Sequence, residues 1–546
     1  MKQQVLFFFF TLMLTGISVS AQTGGGRIAG VVIDNAGEEP LPGATIFIEE
    51  LKKGIVTDGH GEFLLSDVPA ATYTLTVRFI GYHTQTRKLT VGKERGKKII
   101  IRLKAEAKSL DEVVVMGKSE ARKLREQAMP ISVISMNQIQ GTVNNVQDIL
   151  AKTAGITVRA TGGTGSTSRI SVRGLEGKRI GLFIDGNPMN DNSDFIDIND
   201  IPVEMIDRIE IYKGVVPAKF GGSAVGGAVN IVIKEYPPKY LDVNYSYGSF
   251  NTHNASVVSK MNIAPKGIEF GLGGFYTYAD NDYKMKSPFQ EGLTITRDHD
   301  KFKKTVIGGS FKARKWWFDL VEFEPVFIHT YKDIQGIESN IRHAHSHSNA
   351  FIFANKMEKE NFLLDGLDLD WQLGYIYTDY HFADTASHRT HWDGTHYPAV
   401  SEFGGEIGKW ASLLTNEKHQ LQHKLNLNYL VNENHSVNFN SLLKYAHANP
   451  RDGMKDKVIG YRTDFPSNMF SWVAGLNYDY RTSNDKFLNS FNVKYYYYSM
   501  KTRMASVLVK TAEDIDTHKN DFGISNALRY RITPSLMAKA SFGYDV

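Results

Sequence analysis

From Tyr236 to the last residue the chain repeats one pattern: segments apolar at every second position and polar between, divided by tight turns. Leu367, Leu369, Trp371, Leu373, Tyr375 and Tyr377 alternate with Asp368, Asp370, Gln372 and Gly374. Leu421, His423, Leu425, Leu427 and Tyr429 alternate with Gln422, Lys424, Asn426 and Asn428, and after Asn432-Glu433-Asn434 the pattern resumes at Val437, Phe439, Leu443 and Tyr445. Phe522, Ile524, Leu528 and Tyr530 repeat it, and beyond Thr533-Pro534-Ser535 come Leu536, Ala538, Ala540, Phe542 and Tyr544. Side chains alternate across a strand, so each segment has one apolar and one polar face. So many long strands with a polar inner face would leave a soluble sandwich without a core. A barrel that turns its apolar face to lipid resolves the difficulty, because strands satisfy their backbone groups in a membrane only when paired all round.

The start of the chain sets the compartment. Lys2 precedes an apolar run from Val5 to Val19, and Val19-Ser20-Ala21 places small residues where a signal peptidase cleaves, making Gln22 the expected mature terminus. The run falls short of the roughly 20 apolar residues of a helical span. No Cys occurs among the 546 residues, which excludes disulfides, cysteine metal sites and a lipidated cysteine. The net charge of +4 gives no electrostatic case for nucleic acid. Composition by itself leaves a membrane barrel and a large secreted β-protein open.

Residues 27–104 read as a β-sandwich. Short alternating runs (Ile28 to Ile33, Thr45 to Ile48, Thr72 to Val77) are separated by turn formers such as Asp34-Asn35-Ala36-Gly37 and Asp58-Gly59-His60-Gly61. The text Gly43-Ala44-Thr45-Ile46, Thr57 to Phe63 and Val68 to Tyr73 resembles the carboxypeptidase-regulatory-like domain at the front of many Bacteroidetes outer-membrane receptors, an accessory module without catalytic residues. A charged linker over 105–121 follows, interrupted by Asp111-Glu112-Val113-Val114-Val115-Met116. Three consecutive Val suit an extended segment awaiting a partner strand. It is either a last edge strand of the sandwich or a TonB box, which it resembles: a periplasmic peptide that adds itself to a sheet edge of the TonB protein.

Residues 122–235 carry the most specific text: Pro130 to Ile134; Asn145 to Leu150 with Ala154-Gly155-Ile156-Thr157-Val158; Ile170 to Gly174; Gly181 to Met189; Ile206 to Gly214; and Phe220 to Lys234. Motif after motif, this resembles the plug domain of TonB-dependent receptors, an αβ module. Asn145 to Leu150 reads as helical, with Val146, Ile149 and Leu150 on one face. The resemblance implies that Arg173, Arg208, Glu210 and Lys213 face carboxylates and bases on the barrel wall; ordinary solvated charges are the alternative.

No catalytic constellation is present. Gly162-Gly163-Thr164-Gly165-Ser166 and Gly174-Leu175-Glu176-Gly177-Lys178 lack the Lys-Ser/Thr spacing of a phosphate loop and read as plug turns. In His343-Ala344-His345-Ser346-His347, three imidazoles at every second position share a face if the chain is extended, and imidazole suits Zn, Cu, Fe or Ni. They are either a metal, haem or metal-chelate contact at the extracellular side or three His on a polar wall or loop.

The sequence therefore reads as mainly β: signal peptide 1–21, N-terminal β-sandwich 27–104, linker with TonB box 105–121, αβ plug 122–235, and an incomplete antiparallel transmembrane β-barrel 236–546. The last segment holds roughly a dozen strands against about 22 in large plugged transporters, and it ends on Val546 rather than an aromatic residue. The expectation is a C-terminally truncated receptor. Its implied partners are the TonB-ExbB-ExbD energy-transducing complex, an extracellular ligand and outer-membrane lipid; no enzyme activity and no cofactor are expected. An iron-siderophore or other metal chelate is the first ligand class. Oligosaccharide or cobalamin import is the alternative, and a secreted β-rich adhesin the alternative of another class.

Overall fold

The computed structural model describes residues 26–35, 39–79, 82–92, 98–104, 124, 126–136, 146–160, 162–166, 168–189, 201–217, 220, 226–237, 239–263, 267–314, 316–533 and 536–545. The expected signal peptide at 1–21 lies outside them. The chain divides into two compact units, Met1–Gly117 and Lys118–Val546.

The first unit is a sandwich of β1 (Gly26–Asp34), β2 (Thr45–Ile48), β3 (Lys53–Val56), β4 (Glu62–Val68), β5 (Thr72–Arg78), β6 (Gln85–Thr90) and β7 (Ile99–Leu103). One sheet runs β4-β1-β7 and the other β3-β2-β5-β6. Alternation decides what is buried: Phe63 and Leu65 join Ile28, Val32, Ile46, Ile48, Leu75 and Ile101 in the core, while Leu64 between them is exposed. Asp58 is a turn residue, its carboxylate accepting the N–H groups of His60 (2.9 Å) and Glu62 (2.8 Å).

The second unit opens with an αβ module. Its elements are β8 (Ile131–Ser135), α1 (Val146–Ala151), β9 (Ile156–Ala160), β10 (Ser168–Val172), β11 (Leu175–Glu176), β12 (Ile180–Ile184), β13 (Asn187–Pro188), β14 (Ile206–Tyr212) and β15 (Gly227–Ile233). A five-stranded sheet, β13-β12-β15-β14-β8, and a three-stranded one, β11-β10-β9, share a core. Helix α1 buries Val146, Ile149 and Leu150 against Ile206, Ile209, Ile211, Val229 and Ile231, the face its spacing predicts.

The rest is one antiparallel sheet of thirteen strands: β16 (Lys239–Gly248), β17 (Thr252–Ile263), β18 (Ile268–Ala279), β21 (Phe302–Ala313), β22 (Leu320–Asp333), β23 (His345–Lys359), β24 (Leu367–Asp384), β27 (Ser412–Asn432), β28 (His435–Asp452), β29 (Ser467–Arg481), β30 (Phe487–Ser506), β31 (Thr511–Arg531) and β32 (Met537–Asp545), paired in chain order. Two hairpins, β19 (Tyr283–Lys286) with β20 (Thr294–Arg297) and β25 (His388–Thr390) with β26 (His396–Pro398), and a short helix, α2 (Gly453–Ile459), stand in the connections. At one end the turns are short, as at Asn432–His435; the other end carries the long connections, as between Asp384 and Ser412.

The faces are partitioned inside out. Leu241, Val243 and Leu272 are 71%, 70% and 63% exposed on the outer face, whereas Lys304, Lys424 and Arg529 are 3%, 4% and 2% exposed on the inner one. Leaving such apolar side chains in water would forgo about 1.5–3 kcal/mol each, so the outer face calls for a lipid solvent. Ile307→Arg, midway along β21 on that face, is expected to lower the stability of the intact receptor in bilayers by about 2–4 kcal/mol. The readout is urea-dependent loss of heat-modifiable gel migration, and an unshifted midpoint would mean that the face does not meet lipid.

Candidate functional site

The αβ module sits against the inner wall of the sheet, and the contacts between them come at three levels. At the long-loop end the turn at Gly162–Ser166 reaches the wall. Thr164 donates its N–H to Asn281 Oδ1 (3.0 Å) and accepts from Asn281 Nδ2 (2.8 Å). Gly165 accepts from Lys332 Nζ at 2.8 Å. Gly165 has φ +76 and lies flat on Phe302, where a Cβ would come within 2.1 Å of the ring. Only glycine allows so close an approach.

Midway, Asp185 and Gly186 form the two-residue turn between β12 and β13, with φ of +48 and +73. Both residues left-handed is the hairpin geometry that an Asp-Gly pair favours. Gly186 O accepts from the buried Lys424 Nζ of β27 at 2.8 Å, and Gly186 N–H donates to Asn230 Oδ1 at 2.9 Å. Asn230 in turn donates to Glu210 (3.0 Å), which also accepts from Arg208 Nε (2.9 Å) and Tyr212 OH (2.9 Å). Burial works against the Arg208 cation, but Glu210 and Asp207 more than offset it, so its pKa is raised. Burial, then Glu210, hold the Tyr212 hydroxyl protonated well above its ordinary range. Burial pushes the Asp185 carboxyl up to about 6, against the opposing effects of the Ile233 N–H and the Lys356, Lys312 and Arg208 cations.

These contacts place the four charged plug residues singled out in the sequence. Among the described residues Arg208 and Glu210 hydrogen-bond within the plug and connect to the wall through Asn230 and Gly186. Lys213 Nζ donates to Ala154 O at 2.8 Å, again within the plug. Arg173 is exposed at φ +52 and lies near Lys213, whose pKa is lowered by burial and then by Arg173. The direct fasteners (Asn281, Lys332, Lys424) are wall residues that seek plug backbone atoms. Plug motifs do not disclose them; buried lysines at inner-face positions of the alternation are the signal that could have found them.

At the short-turn end the first described plug residues are clasped. Glu126 O accepts from Arg529 Nη1 (2.7 Å) and its carboxylate from Arg531 Nη2 (2.9 Å). Arg531 also pairs with Asp485 at 2.9 Å, and Lys539 Nζ donates to Met129 O at 3.1 Å. Ala128 packs with Leu488 and Ala527. A cavity of about 380 Å³ opens beside this segment, between Gln127 and Met129 on the plug and Asn438, Asn477 and Ser490 on the wall. The candidate TonB box, Asp111, Glu112, Val113, Val114, Val115 and Met116, lies outside the described residues.

The histidine trio does not converge. Ser346 pairs with Lys332, whose side chain reaches the plug, so the neighbouring His345 and His347 point outward. His345 stacks on Tyr331 and His347 on His381, with ring centres 5.8 and 4.5 Å apart. His343 precedes β23 and sits near His388, ring centres 6.4 Å apart. Among the described residues no three His, Asp or Glu side chains form a set able to hold a metal ion. The loops around them are firmly built. Glu406, 3% exposed, accepts the N–H groups of Arg342 (3.0 Å), His343 (2.6 Å) and Ala344 (2.8 Å). Its own N–H donates to Asp384 at 2.6 Å.

Known proteins match this arrangement. Residues 28–115 match the CarboxypepD_reg-like domain and residues 123–228 the TonB-dependent Receptor Plug Domain. The first match runs through Val115 and so includes five of the six residues of the candidate TonB box. The chain is similar to TonB-dependent receptor P39 of Formosa agariphila (28% identity; 44% of this chain, 23% of that protein) and to vitamin B12 transporter BtuB of Vibrio vulnificus (24%; 47% and 43%). In fold it resembles the copper transporter OprC (TM-score 0.59, 13% identity, 76% of this chain and 64% of that one) and the siderophore receptor PiuA of Acinetobacter baumannii (0.54, 14%, 76% and 64%). The chain thus spans less than half the length of these two sequence relatives and less than two thirds of these two structures. With a plug sequence of this family lying against the inner wall of an inside-out β-sheet, the chain belongs to the TonB-dependent receptors of the outer membrane and carries a carboxypeptidase-regulatory-like domain ahead of its plug.

Proposed function

We propose that the protein is an energised importer: a ligand binds at the outer loops and plug apex, and the TonB complex, taking Asp111 to Met116 as an added strand, pulls on the plug to admit it. The observation that carries this reading is the clasp at the plug's first described residues. Glu126 lies ten residues beyond Met116, so among the described contacts the Glu126–Arg529–Arg531 set lies nearest the box along the chain. Among the described residues the next element, β8, ends its sheet and pairs with β14. Once the clasp opens, β8 can be peeled away one hydrogen bond at a time, beside a cavity already present.

A metal chelate such as a ferric siderophore is the favoured cargo, since the fold is shared with a siderophore receptor and a copper transporter. Cobalamin is the second reading, favoured by the sequence match to a vitamin B12 transporter. The chemistry that supports this reading is that of positioning: backbone carbonyls and buried cations hold the plug.

Two outcomes check this account. A strain lacking the intact gene is expected to grow poorly on one chelate of an iron-source panel. The wild-type gene should restore growth, and a copy with Val114→Pro, which cannot complete the added strand's hydrogen bonds, should not. Normal growth of the deletion strain on every iron source would eliminate the siderophore reading, and full rescue by Val114→Pro would eliminate strand addition at this segment. The second outcome concerns pH. A carboxyl raised from 3.8 to about 6 holds its proton more tightly in the folded plug, so its burial is free of penalty below pH 3.8 and fully penalised above pH 6. Plug stability attributable to Asp185 therefore falls as pH rises through this window, by less than the full shift implies because the residue is partly open to water. Asp185→Asn should flatten that slope in amide exchange of β12; an unchanged slope would place its origin elsewhere.

A further inference from the structure

The hairpin β25–β26, in the long outer loop between β24 and β27, presents two imidazoles that the import reading leaves without a role. Thr390 pairs with His396 and His388 with Pro398, so the alternation puts His388 and His396 on the same face of the hairpin. Their rings stand 4.4 Å apart, centre to centre, at 83°. Two imidazoles sharing one tetrahedral ion, each bonded at about 2.0–2.1 Å, have ring centres about 5 Å apart. The observed spacing lies within about 1 Å of that value.

The hydrogen-bond partners of the two rings also fit. His388 Nδ1 lies 3.1 Å from Ser387 Oγ, and His396 Nδ1 lies 3.2 Å from Thr390 Oγ1. With each hydroxyl accepting from Nδ1–H, the lone pair is left on Nε2, the atom free to ligate. A metal-bound histidine is oriented in this way by a partner on its other ring nitrogen. The scaffold is fixed at several points: Thr390 O accepts from Asn340 N–H (3.0 Å), Trp392 Nε1 donates to Ile337 O (2.8 Å), and Glu406 ties down the strand entering at His343. Two of these ties join the hairpin to the loop that carries His343, so it is held to its neighbour rather than standing alone.

We propose that His388 and His396 form a two-imidazole site for a divalent transition-metal ion on the outer face of the receptor, through Nε2 of each. Imidazole ligands select Zn²⁺, Cu²⁺ or Ni²⁺ over Ca²⁺ and Mg²⁺, which take oxygen ligands. Two protein ligands leave the remaining positions to water or to donors that an arriving chelate brings. His343, one ring beyond His388 at 6.4 Å, is outside the pair. The site stands whatever the receptor imports, because it needs only the loop and the free ion.

Calorimetric titration of the intact detergent-purified receptor with ZnCl₂ and with CuCl₂ tests it. The expected result is one ion bound per chain at micromolar concentration. His388→Gln and His396→Gln should each weaken binding at least about tenfold, since changing even a hydrogen-bond partner of a ligand costs about that much. His345→Gln and His347→Gln should bind as wild type does, and MgCl₂ should give no heat. Heat-modifiable migration of each variant confirms that it is folded. Absence of Zn²⁺ and Cu²⁺ binding in the wild type, or wild-type affinity in both hairpin variants, would overturn the proposal. So would loss of binding in His345→Gln or His347→Gln with the hairpin intact.

Discussion

A cation on the inner wall of a β-barrel needs acceptors, and for four of them the plug backbone supplies one. Lys424 is nearly inaccessible and reaches Gly186 O; Lys332 reaches Gly165 O; Arg529 reaches Glu126 O; Lys539 reaches Met129 O. Each contact joins a full charge to a carbonyl dipole in a place that water enters poorly. Charge-assisted hydrogen bonds of this kind are stronger than neutral ones. Removing the plug would leave these charges without those acceptors at once, so the wall and the plug depend on each other. The outer face imposes the complementary demand: its Leu, Val, Ile and aromatic side chains are exposed to whatever surrounds the barrel, and only lipid suits them.

The anchors divide the plug into parts with different mechanical roles. The apex at Thr164 and Gly165 is tied to the end of the barrel that carries the long loops, where a ligand would arrive. The Asp185–Gly186 turn is tied at mid-height and connects through Asn230 to the Glu210 network. The Glu126 clasp closes the periplasmic end. In the chain β8 follows the clasp directly, so under the proposed import reading tension on the N-terminal side would meet the clasp and then β8.

Much of this was legible in the sequence. Alternation from Leu367 to Tyr377 gave both the strand and its lipid side, and the spacing of Val146, Ile149 and Leu150 gave the helix and its buried face. The thirteen strands agree with the dozen or so that segment lengths imply. The partners were less legible, for a physical reason. A charged residue in a motif reveals its sign, whereas the acceptors of the wall lysines are carbonyl oxygens, which every residue carries. Arg208 and Glu210 therefore read as wall contacts, although their hydrogen bonds close on each other and on Tyr212 and Asn230. The histidines show the same limit. Two-residue spacing correctly put His345 and His347 on one face, but spacing cannot say which face is outside. Nor could it show that His388 and His396, eight positions apart, are brought together by a hairpin within a loop.

The central claim is that the plug occupies the barrel and holds its wall, and the absence of cysteine from the whole chain offers a clean test. A side chain at Gly163 would place its Cβ 3.4 Å from that of Asn281, close to the 3.5–4.5 Å a disulfide spans. The measurement is oxidation of intact cells carrying Gly163→Cys with Asn281→Cys, followed by cleavage between the two positions and non-reducing electrophoresis. The account predicts that plug and barrel fragments remain joined until a reductant is added. Free thiols and separate fragments in the folded, heat-modifiable receptor would contradict it.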